Sequence, residues 1–387
     1  MASSLREGCR LGLEAGGQPL TSAKTMLDAH TTLRVSEDDR LTYFATFQEG
    51  FERAAAASGG SIDHVYSIGG HSVRMRFAGE GLIPYLTPAF AHLGIGPTVD
   101  ADLTICLWDS VTSDTPPPLF LASLLYLLEL RWFELLSSRR EIKGYHSDRI
   151  RTMFHFGPNI LSAMDTRENV AIYWIRDART TPYYERGYPL AKIFNWWTES
   201  RSLQCVHAAA VGDPQGGVLL AGKSGSGKST TSLLCLNSQL SYLSDDTSLV
   251  AWNPEPYVFS LYNTAKLMSL ALLPHLEACV TNRGGRDGEK ALMFLHEHFP
   301  HKLVRGFPLK GILLLKVSGQ AHSVLREASP FAALKALAPS TIYQLAGSGQ
   351  PELTKMSRLV RQVPSYHLEL GTDLREIPDV IMKVVSG

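Results

Sequence analysis

The chain has 387 residues, 44% of them hydrophobic and 19% charged, which is ordinary globular composition with room for two or three domains. Its 37 basic residues balance its 37 acidic ones, so a broad basic field is excluded and no nucleic-acid partner is expected. The five cysteines (Cys9, Cys106, Cys205, Cys235 and Cys279) form no C-x-x-C pair, which excludes a zinc pattern or a disulfide framework. Buried thiols in a reducing cytoplasm are the expectation, and no secretion signal is read at the N-terminus.

Residues 1–40 combine Gly8, Gly12, Gly16 and Gly17 with the run Ser36-Glu37-Asp38-Asp39-Arg40, and are expected to be loosely ordered. Leu41 to Ala57 fits a short helix with Phe44, Phe47, Phe51 and Ala54 on one face. From Val65 to Phe77 the period becomes that of two strands around Gly69-Gly70, the second alternating Val73, Met75 and Phe77 against Ser72, Arg74 and Arg76. A short helical stretch from Leu82 to Leu93 and a strand from Ala101 to Asp109 follow, closed by Pro116 to Pro118. Leu119 to Leu136 is the most apolar stretch. It carries Glu129, Arg131 and Glu134, so a buried or partner-facing helix is expected and no membrane span. Strands are expected again at Arg151 to Phe156, Asn159 to Asp165 and Val170 to Arg176. Pro182, Gly187 and Pro189 then mark a boundary, and a helix from Leu190 to Trp197 leads onward. Residues 41–190 are therefore expected to form a strand-rich α+β domain without a catalytic signature, and 191–387 a second, α/β domain.

The second domain alternates strand and helix. Strands are expected at Cys205 to Val211, Val218 to Ala221, Tyr242 to Asp246, Thr247 to Trp252 and Val258 to Leu261, with a buried strand at Gly311 to Val317 and a late one at Tyr366 to Leu370. Helices are expected at Ser229 to Leu236, Ala265 to Leu273, Pro330 to Leu337, Pro339 to Leu345 and Ile377 to Val385.

Its centre is Gly222-Lys223-Ser224-Gly225-Ser226-Gly227-Lys228-Ser229-Thr230, which fits G-x-x-x-x-G-K-[ST], a phosphate-binding loop. Glycines let successive N–H groups turn toward phosphate oxygens, Lys228 can neutralise β- and γ-phosphates, and the Ser229 hydroxyl can bind Mg²⁺. The apolar run Val218 to Ala221 before it and the apolar Leu233, Leu234 and Leu236 after it supply the strand and helix that such a loop needs. ATP and Mg²⁺ are the expected ligands. Phosphoryl transfer also needs carboxylates, and Asp245-Asp246 ends the short strand after the loop helix. Adjacent residues of a regular strand point to opposite faces, so both reach one site only if the chain bends after Ser244. His207, on an apolar strand upstream, fits a satisfied core histidine as well as a site residue.

His207-Ala208-Ala209-Ala210-Val211, the loop at Gly222 to Thr230 and Leu243-Ser244-Asp245-Asp246 together resemble the HPr kinase/phosphorylase superfamily. The closer likeness is to its branch of serine kinases with an added N-terminal domain, also at Tyr183 to Leu190, Leu261 to Leu267 and Leu368 to Gly371. The resemblance implies a P-loop kinase domain of that type after the α+β domain. It implies Asp245 as the base that takes a hydroxyl proton, with His207 paired to Asp246, and Ser229 and Asp246 as the metal pair. The implied acceptor is a serine of a peptide or small protein. A small-molecule acceptor on the same apparatus, or a nucleotide-switched binding module, are the alternatives, and a tendency to form homo-oligomers goes with the family. The family's Arg-Gly-Leu-Gly signature with its metal glutamate is not found, and Glu255 and Glu289 stand in unrelated contexts, which leaves the acceptor open. The segment Arg283 to Lys290 reads as a basic loop able to close over the nucleotide with Arg286 or Lys290, or equally as a solvated loop.

Overall fold

The structure is a computed structural model that describes residues 35–98, 100–117, 135–252, 254–282, 288–344 and 350–387. The first helix, α1 (Glu37–Ala57), begins earlier than the apolar spacing suggests. Ser36 Oγ accepts from Asp39 N at 3.1 Å, and Asp39 Oδ2 accepts from Ser36 N at 3.0 Å. This capping box, with Glu37, Asp38 and Asp39 at the positive end of the helix, turns the polar run 36–40 into an ordered first turn. The remainder of the stretch expected to be loosely ordered, 1–34, lies outside the described residues, as do 119–134 of the apolar stretch.

Strands β1 (Ser61–Ile68), β2 (His71–Ala78), β3 (Leu103–Asp109), β4 (Ile150–His155), β5 (Ile160–Asp165) and β6 (Val170–Ile175) form a six-stranded mixed sheet in the order β1-β2-β3-β6-β5-β4. The β1–β2 hairpin turns on Gly69 and Gly70, both at positive φ (61° and 83°), as a two-residue turn matched to strand twist demands. Helix α1 covers one face with Phe44, Phe47 and Phe51 against Trp108 and Trp174. The other face, with Met75, Phe77 and Leu107, shares one core with Trp197, Leu249, Leu261 and Tyr262 from further along the chain. A 3₁₀ stretch, Thr87–Leu93, is part of that seam, where Asn263 Nδ2 donates to Pro88 O at 2.7 Å and Ala89 O at 3.0 Å.

Two helices, α2 (Tyr183–Gly187) and α3 (Ala191–Glu199), lead into the second sheet. Its strands are β7 (Leu203–Val206), β8 (Ala209–Asp213), β9 (Gly216–Ala221), β10 (Ser241–Ser244), β11 (Ser248–Ala251) and β12 (Tyr257–Ser260). A separate two-stranded ladder, β13 (Thr264–Leu267) with β14 (Ala291–Phe294), follows. The nine-stranded sheet is completed by β15 (Gly306–Val317), β16 (Val324–Ala328) and β17 (Ser365–Leu370). The twelve-residue β15 joins its two wings: its start pairs antiparallel with β12, and its end runs parallel between β9 and β17. Val218 to Ala221 and Ile312 to Leu315 are buried because both faces are covered. One face carries α4 (Lys228–Leu234) and the C-terminal helix Ile377–Ser386, the other α5 (Pro330–Gln344) and α6 (Gln350–Gln362). The last helix is α7. Among the described residues no helix is long and apolar enough to cross a membrane.

Three expectations change. The strand expected over Cys205 to Val211 is two strands in different wings, β7 and β8, broken at His207-Ala208. The helix expected from Ala265 begins as strand β13, because the backbone of 264–267 pairs with 291–294, a partner that local spacing does not reveal. The two helices expected around Pro339 are one, α5, which continues because Leu337 and Ala338 before the proline and Thr341 after it are all buried. Pro339 removes one helix hydrogen bond, and core burial outweighs it.

Candidate functional site

The glycine-rich loop follows β9 and opens α4, as the motif requires. Gly222 has φ 149°, and a Cβ there would lie 2.5 Å from Ser226 Oγ and 3.2 Å from Leu315 O. Gly227 has φ 99°, and a Cβ would meet Leu370 Cδ1 at 2.6 Å. Both positions need glycine, for conformation and for space. Lys223, Ser224 and Gly225 form the exposed crest, Ser226 and Lys228 are buried, and Ser229 and Thr230 are half-buried at the helix start. Lys228 Nζ donates to Gly222 O at 2.8 Å and Lys223 O at 3.3 Å, folding the lysine back across the loop. Burial lowers its ammonium pKa, against the opposing pull of Asp246 and Asp245.

Asp245 and Asp246 sit in a bend just past β10, where the pairing with β8 also slips register between Tyr242 and Ser244. The bend lets neighbouring carboxylates share one site, which a regular strand forbids. Asp245 is 3% exposed. Its Oδ2 accepts from Lys266 N at 2.9 Å, while Oδ1 has no hydrogen-bond partner. Burial, then the neighbouring Asp246 charge, push its pKa up to about 6, although the facing Ser229 hydroxyl and the Lys266 N–H hold it down. Asp246 is bracketed: Oδ1 lies 3.1 Å from His207 Nδ1 and Oδ2 lies 3.8 Å from Lys266 Nζ.

His207 owes its position to the break between β7 and β8. Its N–H donates to Thr341 Oγ1 of α5 at 3.1 Å. Burial lowers the imidazole pKa, only partly offset by Asp246, and Lys228, Lys266 and Lys290 lower it further. That lowering favours the neutral ring, whose Nδ1 lies 3.1 Å from Asp246 Oδ1 as a close polar contact.

The structure thus brings Lys228, Ser229, Asp245, Asp246 and His207 together. Lys290 is half-buried and close enough to depress the pKa of Lys228, Lys266 and His207, and Arg286 lies outside the described residues. Two members had no role assigned from sequence. Lys266 holds Asp245 through its backbone and faces Asp246 with its side chain. Tyr188 lies under it, with Lys266 Nζ 3.8 Å from the ring centroid. The available signal for Lys266 was its alternation with buried Ala265 and Leu267, masked by the apolar run that continues to Leu273.

No family model matches the chain, and no curated protein matches it. Among solved structures it is similar to the Hpr(Ser) kinase/phosphatase from Coxiella burnetii. The identity is 11% and the TM-score 0.29, over 47% of this chain and 94% of that one. At that score the likeness carries no weight for fold or activity.

Proposed function

We propose that the protein is a nucleotide- and Mg²⁺-dependent kinase that transfers the γ-phosphoryl group of ATP to a hydroxyl, with serine of a peptide or small protein as acceptor. One observation carries this reading: Asp245 is buried beside the glycine-rich loop with one carboxylate oxygen unpaired. A buried carboxylate oxygen without a donor is costly in a merely structural role. It suits a group that receives a proton or faces a cation.

The residues fit both ligands. Gly225 on the crest has nothing within 4 Å of where a Cβ would lie, so backbone N–H groups there are open to phosphate oxygens, and Lys228 supplies a buried positive charge. Among the described residues no three His, Cys, Asp or Glu side chains are grouped to hold a metal alone. That suits Mg²⁺, which is bound by one or two carboxylates together with substrate phosphates. Ser229 and Asp246 would hold it, and Mg²⁺ would supply charge neutralisation at the phosphates. Asp245, with a pKa of about 6, is ionised at neutral pH yet basic enough to take the acceptor's hydroxyl proton as that oxygen attacks phosphorus. His207, with Nδ1 3.1 Å from Asp246 Oδ1, would help orient Asp246, as outer partners of metal-binding carboxylates do. The serine acceptor comes from the sequence resemblance.

The test is incubation with γ-labelled ATP, Mg²⁺ and a library of serine peptides and small hydroxyl metabolites. Label should pass to an acceptor, Lys228→Ala should lose nucleotide binding, and Asp245→Asn should bind nucleotide without transferring. Full transfer by Asp245→Asn overturns the base assignment, and unchanged nucleotide affinity in Lys228→Ala overturns the whole reading.

A further inference from the structure

Lys266 is unusual for a lysine. Its side chain is only 12% exposed, yet its one ion-pair partner among the described residues, Asp246 Oδ2, lies at 3.8 Å, beyond hydrogen-bond distance. The ammonium is held from below by the face of the Tyr188 ring, 3.8 Å from Nζ to the centroid. A cation–π contact fixes the position of an ammonium without using its three donors. Those donors sit at the aspartate pair, where the buried Asp245 Oδ1 also has no hydrogen-bond partner. Three lysines (228, 266 and 290) act on this site against two aspartates, which leaves a surplus of positive charge there. Such a surplus is matched by a ligand carrying several negative charges.

We propose that Lys266, seated on Tyr188, is a second phosphate-binding lysine of the site and engages the terminal phosphate of a nucleoside triphosphate. The inference rests on the kinase reading above. It follows from which end of the site Lys266 borders. Its N–H fixes Asp245 and its Nζ faces Asp246, so it borders the aspartate end of the site, where the kinase reading puts the acceptor hydroxyl and the γ-phosphorus. Lys228 belongs to the loop and serves di- and triphosphate alike, whereas Lys266 serves only the phosphate that a diphosphate lacks. The pair of lysines then makes the site read phosphate number. Tyr188 is a positioning residue, since it acts through the ammonium that it supports.

The experiment is calorimetric binding, with Mg²⁺ present, of ADP and of the non-hydrolysable β,γ-imido analogue of ATP to the full chain. The wild type is expected to prefer the triphosphate. Lys266→Met should lower triphosphate affinity by at least about tenfold while ADP affinity stays within about twofold, the scale of losing one charge-assisted contact. Lys266→Arg should recover most of the preference, because the charge returns to the same ring face. Tyr188→Leu should lose part of it, because the ring seats the cation. An equal fall for both nucleotides, or an unchanged ratio in Lys266→Met, overturns the inference. So does a wild type that binds both nucleotides with equal affinity, an outcome that leaves the kinase reading standing. A wild type that binds neither nucleotide overturns the kinase reading and this inference with it.

Discussion

Asp165 in the six-stranded sheet and Asp245 beside the nine-stranded one are both 3% exposed, but they are satisfied in opposite ways. Arg149 grips Asp165 with Nε at 3.1 and 3.2 Å and Nη2 at 3.0 Å, and Arg167 N and Glu168 N donate to the same carboxylate at 2.9 and 3.3 Å. Asp245 receives one backbone N–H on one oxygen, while the other makes no hydrogen bond and the carboxylate has only the Ser229 hydroxyl facing it. A buried charge with every lone pair taken holds a turn in place, whereas one left half-open is poised for a ligand or a proton. The lesson is that burial alone does not mark a site; the unmet donor and acceptor capacity does.

The comparison can be broken most severely at Asp245. If it is the base, Asp245→Asn lowers phosphoryl transfer by up to about 10⁴-fold with nucleotide affinity retained, measured by single-turnover kinetics beside equilibrium binding. In the wild type the transfer rate should fall as one proton adds below about pH 6, where the raised pKa of Asp245 lies. At Asp165 the outcome is the reverse. Asp165→Ala leaves Arg149 with only Glu168 at 3.8 Å and strips the Arg167 and Glu168 N–H groups of their acceptor, and should lower the midpoint of denaturant unfolding.

A smaller effect sharpens the contrast by sign. The pKa of Asp245 is raised on folding from 3.8 to about 6, so the native state binds its proton more tightly than the unfolded chain does. Stability is then lost as pH rises between those two values, and above them the ionised carboxylate is a net penalty. Asp245→Asn is therefore expected to stabilise the protein at pH 7 by on the order of 1–3 kcal/mol, and to do little at pH 3.5. Thermal melts at the two pH values check it, and a destabilised variant at pH 7 would show that the carboxylate is a structural group like Asp165. The smallest change is expected at His207. His207→Gln frees one oxygen of Asp246 and should reduce Mg²⁺-dependent turnover by about 10- to 100-fold without unfolding the chain.

Much of this was legible in the sequence where chemistry and spacing are local. The β1–β2 hairpin follows from Gly69-Gly70 and the alternation beside it, and the glycine-rich loop is fixed by residues within one turn of chain. The buried strands at 218–221 and 312–315 are recognisable because a run apolar on both faces has few other places to go. The extra turn of α1 was missed because Ser36 to Arg40 is polar, and a cap is made by hydrogen bonds rather than by burial. Strand β13 was missed because a short apolar segment suits helix or strand, and only its pairing with β14 decides between them.

The sequence by itself determined a glycine-rich cradle carrying Lys228 and Ser229 between a strand and a helix, since that arrangement is made within nine consecutive residues. Tertiary structure alone decided what surrounds the cradle. His207 turns toward Asp246 because β7 and β8 part company at that residue, Lys266 arrives on a strand paired across 23 intervening residues, and Tyr188 comes from the connection between the two sheets. The physical reason is that charge neutralisation depends on distance through space, which spacing along the chain does not encode.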